Sequence, residues 1–183
     1  TRSTAGMPTG RLAVWWLIAS EIVIFGGLLG SYIMFRLSHD SFATQAASTN
    51  TMIGAFNTWV LLTSSLCAVL AHQQAERGNG AKAARFLWYT IGFGGVFLLV
   101  KAWEWGTKIS HGNTILSHTF FSFYYTAAGL HALHVIAGMI VMAIVATAAR
   151  KNQELHRVEI AGIYWHFVDV VWIFLFPLLY IAK

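Results

Sequence analysis

The sequence predicts an all-α fold, an integral membrane bundle of five transmembrane helices. Of its 183 residues, 57% are hydrophobic and only 10% are charged, whereas a soluble domain carries about 25% charged residues. One bilayer crossing needs about 20 mainly apolar residues, and five segments of the chain reach that length. They lie at about residues 12–35, 52–75, 86–105, 119–149 and 161–182.

The connections between these segments are short and polar, so none can fold as a separate domain. We therefore expect a single domain over residues 1–183. The one cysteine, Cys67, excludes a disulfide or a cysteine-based metal site within the chain. The net charge of +5 is small and dispersed, which argues against nucleic acid as a partner.

The distribution of lysine and arginine predicts the orientation in the membrane, because the cytoplasmic side carries the excess. One side holds Arg2, Arg11, Arg77, Lys82, Arg85, Arg150, Lys151 and Arg157. The other side holds Arg36, Lys108 and Lys183, with Lys101 just inside a helix end. The asymmetry predicts that the N-terminus is inside and the C-terminus outside.

The first segment carries a carboxyl group, Glu21, near its middle, in WLIASEIVIFGG. An ionisable group at that depth costs several kcal/mol unless it is paired or faces protein. Burial disfavours the charged form, so we expect a neutral carboxylic acid near pH 7. Glu21 is then either hydrogen-bonded to a neighbouring helix or a proton-exchanging group.

Glycines in three of the segments predict close helix–helix contacts, because small residues let backbones approach in a bilayer. They are Gly26, Gly27 and Gly30 in the first segment, Gly92, Gly94 and Gly95 in the third, and Gly129 and Gly138 in the fourth. These positions predict packing and carry no chemistry.

The third segment ends with Lys101 and Glu104, which share a helix face at spacing i, i+3. We expect them to pair and to extend towards the membrane interface. Glu159 lies at the inner mouth of the fifth segment, where a carboxylate suits the helix dipole. Arg150, on the same inner surface, is either an ordinary positive-inside charge or a ligand for lipid phosphate.

The fourth segment carries His131 and His134 in AAGLHALHVIAGM, and the fifth carries His166 and Asp169 in IYWHFVDVVWIF. The spacing of His166 and Asp169 favours either a buried hydrogen bond between them or a functional pair. At about 1.5 Å per residue, Glu21, His134 and Asp169 fall at one depth. We therefore predict a polar cluster among the first, fourth and fifth helices.

The ionisable residues leave two other interpretations open, a haem protein and a transporter. Two of the histidines, on different helices, could ligate a haem, but the Glu-x-x-His pattern of di-iron bundles is absent from the sequence. A transporter with Glu21 as its proton site is the other interpretation. Against it, no segment is broken at its middle and no inverted repeat is visible.

Five motifs, in order, resemble subunit III of haem-copper cytochrome oxidases. In the first, second and third segments they are WWLIASEIVIFGGLLGSYIMFR, FNTWVLLTSSLCAVLA and KAWEW. In the fourth and fifth they are TAAGLHALHVIAGM and YWHFVDVVWIFLFPLLY. The resemblance covers nearly the whole chain and is closest to the five-helix bacterial forms, which lack two helices that form half of a lipid cleft.

The resemblance implies an accessory subunit of a proton-pumping oxidase that reduces O₂ to water in aerobic respiration in the bacterial plasma membrane. It implies docking on subunit I, a complex with subunit II, and haems and copper held by those two subunits. No cofactor is expected in this chain, although bound phospholipid fits. Contacts with subunit IV or other respiratory complexes stay open.

The resemblance also implies roles for single residues. Glu21 corresponds to the buried glutamate of the family that reacts with carbodiimide. The recurrent polar positions of the family correspond to His131, His134, His166, Asp169, Glu104 and Glu159. Arg150 falls near a lipid-binding arginine of some members, and no catalytic or metal-binding residue is implied.

The resemblance leaves the exact enzyme open. The partner enzyme could be a cytochrome c oxidase, a quinol oxidase or a nitric oxide reductase. The motif WLIASE favours an oxidase over a nitric oxide reductase. A haem-binding membrane cytochrome is the alternative from a different class.

Overall fold

A computed structural model describes residues 9–38, 49–112, 114, 115, 117 and 119–181. Its described part contains five long helices and no strand, which confirms the predicted fold class. The helices are α1 (Thr9–Ser38), α2 (Thr51–Glu76), α3 (Gly80–Ser110), α4 (Thr119–Arg150) and α5 (His156–Phe176). A π-helical turn, Pro177–Ile181, continues α5. All five helices are long and apolar enough to cross a membrane.

Polar capping makes α3 longer than the apolar stretch that predicts it. The helix begins at Gly80 rather than near residue 86, because the side chain of Asn79 accepts a hydrogen bond from the Lys82 amide at 3.3 Å. Capping groups of this kind satisfy amide donors that the helix itself cannot. Helix α5 also begins earlier than predicted, at His156 rather than near residue 161, although no side chain caps its first turn. The predicted end at residue 182 lies outside the described residues.

The centre of the bundle is organised around the indole of Trp165 on α5. Gly94 of α3 and Gly138 of α4 leave the space for this ring, since a Cβ added at either glycine would lie 2.9 Å from it. The ring is fully buried, and its Nε1 donates to the Ser64 hydroxyl of α2 at 3.0 Å. One side chain thus ties four helices together, and the predicted role of Gly94 and Gly138 in close packing is confirmed.

Helix α1 is the peripheral member of the bundle. Only 11% of its most apolar 18-residue stretch is buried within the bundle, against 33–44% of the corresponding stretches of the other four helices. A Cβ added at Gly26, Gly27 or Gly30 would meet nothing within 4 Å. The expectation that these three glycines mark a close helix contact is therefore wrong for the described chain. Gly26 instead lines an open apolar cavity between α1 and α5.

Hydroxyl groups of α1 and α2 hold the π-helical turn in place. Tyr32 donates to the Leu178 carbonyl at 2.9 Å, and Thr51 donates to the Tyr180 carbonyl at 3.0 Å. Carbonyls at a helix end have no partner within the helix, so these bonds satisfy them. They place the Tyr180 side chain inside the bundle, where it is fully buried.

Candidate functional site

Glu21 and His134 meet at the middle of the membrane-spanning region, between α1 and α4. The Oε2 atom of Glu21 lies 3.0 Å from the Nε2 atom of His134, and the side chains are 14% and 18% exposed. The distance suits an ion pair, but the ring N–H is not aligned well enough for an ordinary hydrogen bond to Oε2. Phe25 covers the imidazole, edge to face, with the ring centroids 5.5 Å apart.

A hydrogen bond to the backbone sets the tautomer of His134. Its Nδ1 lies 2.8 Å from the Leu130 carbonyl oxygen, which can only accept, so Nδ1 carries a proton. Its Nε2 then faces Glu21 Oε2, so a proton transferred between these two atoms leaves the net charge of the Glu21–His134 pair unchanged.

Asp169 does not join this pair, so the predicted three-helix polar cluster is wrong in this respect. The side chain is 3% exposed, and neither carboxyl oxygen has a hydrogen-bond partner in the described part of the chain. Ser65 of α2 lies close to it without forming a hydrogen bond. The prediction considered only the depth of Asp169 along the helix, whereas the rotation of α5 about its axis directs this side chain to a different neighbour.

The predicted hydrogen bond between His166 and Asp169 is absent from the described structure as well. The Nδ1 atom of His166 lies 2.6 Å from the Ser65 hydroxyl oxygen. The hydrogen-bond partner of His166 is therefore Ser65 of α2, and Asp169 lies near the same serine without a hydrogen bond to it.

His131 occupies the aromatic centre of the bundle. It is fully buried and stacks on Trp172 with the ring centroids 5.2 Å apart, while Phe97 meets it edge to face at 5.5 Å. Neither ring nitrogen has a hydrogen-bond partner in the described part of the chain. The two histidines of α4 thus face different surroundings, although they lie only three residues apart.

A buried charge cluster lies near the C-terminal end of α3, formed by Lys101, Glu104, Tyr124 and Tyr180. The Nζ atom of Lys101 donates to Glu104 Oε2 at 3.1 Å, to the Tyr124 hydroxyl at 3.3 Å and to the Tyr180 hydroxyl. The Tyr180 hydroxyl in turn lies 2.8 and 3.0 Å from the two carboxylate oxygens of Glu104. Three ring centroids lie 5.0–5.1 Å from the Lys101 ammonium, which adds cation–π attraction.

This cluster corrects the expectation for the end of the third segment. Lys101 and Glu104 do pair, but their side chains are each only 3% exposed and do not extend to the interface. The reason is that Tyr124 of α4 and Tyr180 of the π-helical turn enclose them. Lys108, one turn further along, lies 3.9 Å from Glu104 Oε1.

At the opposite end of the bundle, Glu159 lies in the first turn of α5, as predicted, and forms an ion pair with Arg11 of α1. Both side chains are partly exposed, at 31% and 42%, so the pair adds at most about 1 kcal/mol to stability. Arg150 is exposed at the C-terminal end of α4.

Within the described ranges, no group of three or more His, Cys, Asp or Glu side chains is placed to hold a metal ion. The residues proposed from the sequence point instead to separate neighbours: His134 to α1, His131 to the aromatic centre, and His166 to α2.

Sequence reasoning missed Tyr124, Tyr180 and Ser65, the partners of the ionisable groups. A signal for the charge cluster was present, because Lys101, Glu104 and Lys108 recur at i, i+3 and i+7 on one helix face. Three charges on a single stripe of a membrane helix indicate that the stripe faces protein rather than lipid.

Comparisons with known proteins agree with this architecture. Residues 4–183 match the family model described as Cytochrome c oxidase subunit III. The chain is 31% identical over 169 residues to cytochrome c oxidase subunit 3 of Thermostichus vulcanus, covering 90% of this chain and 83% of that protein. It is 32% identical over 173 residues to cytochrome c oxidase subunit 3 of Corynebacterium diphtheriae, covering 91% and 84%.

A third relative carries two subunits in one polypeptide. It is the heme-copper oxidase subunit I+III of Aeropyrum pernix, which is 31% identical over 183 residues. The match covers 94% of the present chain and 22% of that relative.

Proposed function

Because the chain belongs to the cytochrome c oxidase subunit III family, we propose that it is a non-catalytic accessory subunit of a proton-pumping haem-copper oxidase. That enzyme reduces O₂ to water, with its haems and copper in subunits I and II. The match over residues 4–183 is the observation that carries this proposal. The site of action is the bacterial plasma membrane, with the N-terminus inside, in line with the lysine and arginine asymmetry.

The direct partner in this proposal is subunit I. In the Aeropyrum pernix relative, the name I+III describes both subunits in one chain, and such a fusion keeps the two parts together at all times. Helix α1 offers a surface for a partner helix, since Gly26, Gly27 and Gly30 leave open space beside their backbone. Small residues of this kind permit close helix contacts in a bilayer.

We assign the Glu21–His134 pair a supporting role in proton handling. A proton can pass between Glu21 and His134 without changing the net charge of the pair, which suits mid-membrane depth, where a change of charge is costly. Its position between the peripheral helix α1 and α4 suits exchange with a neighbouring subunit. His131, His166 and Asp169 have packing roles in this account, and Arg150 is assigned to phospholipid contact at the inner surface.

Glu21→Gln, in the assembled oxidase, tests the accessory role. We expect normal assembly, initial O₂ reduction within about threefold of wild type, and a modest change in proton uptake or in durability during turnover. An essential acid–base group would instead cost about 10²–10⁴-fold. The measurements are oxygen consumption and its decay over many turnovers.

Glu159→Gln is the matched control, because it makes the same chemical change at a partly exposed ion pair. It should leave both oxygen consumption and durability unchanged. Complete loss of O₂ reduction in an assembled Glu21→Gln enzyme would refute the accessory role.

A further inference from the structure

Four aromatic side chains form a series of ring contacts that leads from the buried charge cluster to the side of the bundle. The Tyr180 and Tyr124 ring centroids are 6.0 Å apart, and those of Tyr124 and Tyr125 are 5.2 Å apart. Tyr125 meets Trp105 at 5.6 Å. Tyr180 and Tyr124 are fully buried, whereas Tyr125 and Trp105 are partly exposed. We call these four residues the aromatic series.

The aromatic series is suited to electron transfer. Tyrosine and tryptophan are among the side chains that lose one electron most readily. Electron tunnelling weakens steeply with distance, so it is fast only between groups that are nearly in contact. Each step of the series joins centroids no more than 6.0 Å apart, within the range of about 4.5–7 Å for contacting aromatic pairs. An electron can therefore leave Tyr180 in three short steps.

The Tyr180 hydroxyl also has an acceptor for its proton. Loss of an electron makes a phenol strongly acidic, so the hydroxyl proton must move to a nearby base. The Tyr180 hydroxyl oxygen lies 2.8 and 3.0 Å from the two carboxylate oxygens of Glu104, and a carboxylate can bind a proton. Tyr32 and Tyr164 donate instead to backbone carbonyl oxygens, which do not take up the proton. The chemistry of the partner thus distinguishes Tyr180 from these two tyrosines.

The neighbouring lysines set the strength of the oxidant that is needed. The Lys101 ammonium donates to the Tyr180 hydroxyl and lies 5.0 Å from the centre of its ring. A cation attracts the electrons of an aromatic ring, so it opposes the removal of one of them. Lys108, 3.9 Å from Glu104 Oε1, acts in the same direction. Weak oxidants therefore leave Tyr180 intact, and only a strong one-electron oxidant can act on it.

We propose that Tyr180 is a redox-active tyrosine. A one-electron oxidant at the side of the bundle takes an electron from Trp105, and electrons passed along the aromatic series move the vacancy to Tyr180. The O–H bond of Tyr180 then breaks, and its proton binds Glu104. The products are a neutral phenoxyl radical, a neutral carboxylic acid and an oxidant reduced by one electron. A quinol or a thiol, as one-electron reductant, reverses the step, and the proton returns from Glu104.

The source of the oxidant rests on the proposed function. A complex that reduces O₂ releases oxygen radicals whenever reduction stops short of water, and such radicals are strong one-electron oxidants. Tyr180 is 0% exposed, so an oxidising equivalent held there is kept away from lipid and water until a reductant removes it.

The test is flash photolysis of the purified full chain in detergent with ruthenium tris(bipyridine) and persulfate, followed by electron paramagnetic resonance of frozen samples. Every sample carries Tyr89→Phe, because Tyr89 is 57% exposed and can react directly. We expect a tyrosyl radical that forms more slowly in D₂O, since a proton moves in the same step. Tyr180→Phe should lose this radical. Tyr164→Phe is the matched control and should keep it.

Two further variants separate the roles of the proton and of the electron path. Glu104→Gln keeps an oxygen beside Tyr180 but no longer takes up a proton, so it should also lose the radical. Trp105→Phe leaves Tyr180 and Glu104 in place and interrupts the aromatic series, so it should lower the yield. Circular dichroism checks that each variant is folded.

The parent yield of tyrosyl radical in folded Tyr180→Phe would overturn the proposal, and so would a radical whose formation is equally fast in H₂O and D₂O. Because the ruthenium complex supplies the oxidant, either result would count against Tyr180 alone. The role as an oxidase subunit is tested separately, by co-purification with the partner subunits.

Discussion

Replacing Lys101 with methionine is expected to destabilise the chain by about 3–5 kcal/mol, because it leaves a buried carboxylate without its main partner. Glu104 is 3% exposed, and the Lys101 ammonium lies 3.1 Å from its Oε2 atom. Lys108 is 3.9 Å from the other oxygen, so it offsets part of the loss. Unfolding by increasing fractions of SDS in detergent micelles would measure the change.

The double variant Lys101→Met/Glu104→Leu distinguishes a charge effect from a packing effect. Removing both members of a buried ion pair is often nearly neutral, whereas removing one is costly. We therefore expect the double variant to be more stable than Lys101→Met alone. Lys82→Met, at the exposed start of α3, is the control and should change stability by less than about 0.5 kcal/mol. Wild-type stability of Lys101→Met would contradict the buried charge cluster.

Replacing Gly94 with leucine is the second change with a large expected effect. A Cβ at this position would lie 2.9 Å from the Trp165 ring and 3.2 Å from the Met139 sulfur. Overpacking a dense core costs about 1–3 kcal/mol and occasionally more. Trp165 has little room to retreat, since the Gly138 backbone also lies close to its ring. We expect a loss of at least about 3 kcal/mol and the loss of the Trp165–Ser64 hydrogen bond.

Gly92→Leu is the matched control, two residues away on the same helix, where an added Cβ would meet nothing within 4 Å. The isolated chain with this change should unfold at the same midpoint temperature as the wild type. Both variants can be compared by thermal unfolding in detergent, followed by tryptophan fluorescence. Equal stability of Gly94→Leu and Gly92→Leu would show that Trp165 is not confined as the structure describes.

The sequence predicted the number of helices because each crossing demands its own apolar run, and this demand depends only on length. It could not predict the start of α3 at Gly80, since that end depends on one capping side chain, Asn79, in a polar stretch. Helix ends are set by such local hydrogen bonds more than by hydrophobicity.

The candidate site was predictable in depth but not in direction. The fixed rise of a helix placed Glu21 and His134 at one level, and the two groups do meet. The same argument failed for Asp169, because the rotation of α5 follows from the packing of Trp165 between two glycines. The prediction that Glu104 extends to the interface was based on its charge and was wrong. The side chains that enclose it, Tyr124 and Tyr180, come from distant parts of the chain.

The measurement that tests the accessory role most directly is co-purification of the tagged chain in mild detergent, followed by an optical spectrum of the separated subunits. We expect haem-bearing and copper-bearing subunits to accompany the chain, and the chain itself to be colourless once it is separated. A Soret band on the isolated chain would mean that its histidines ligate haem, and it would contradict the account.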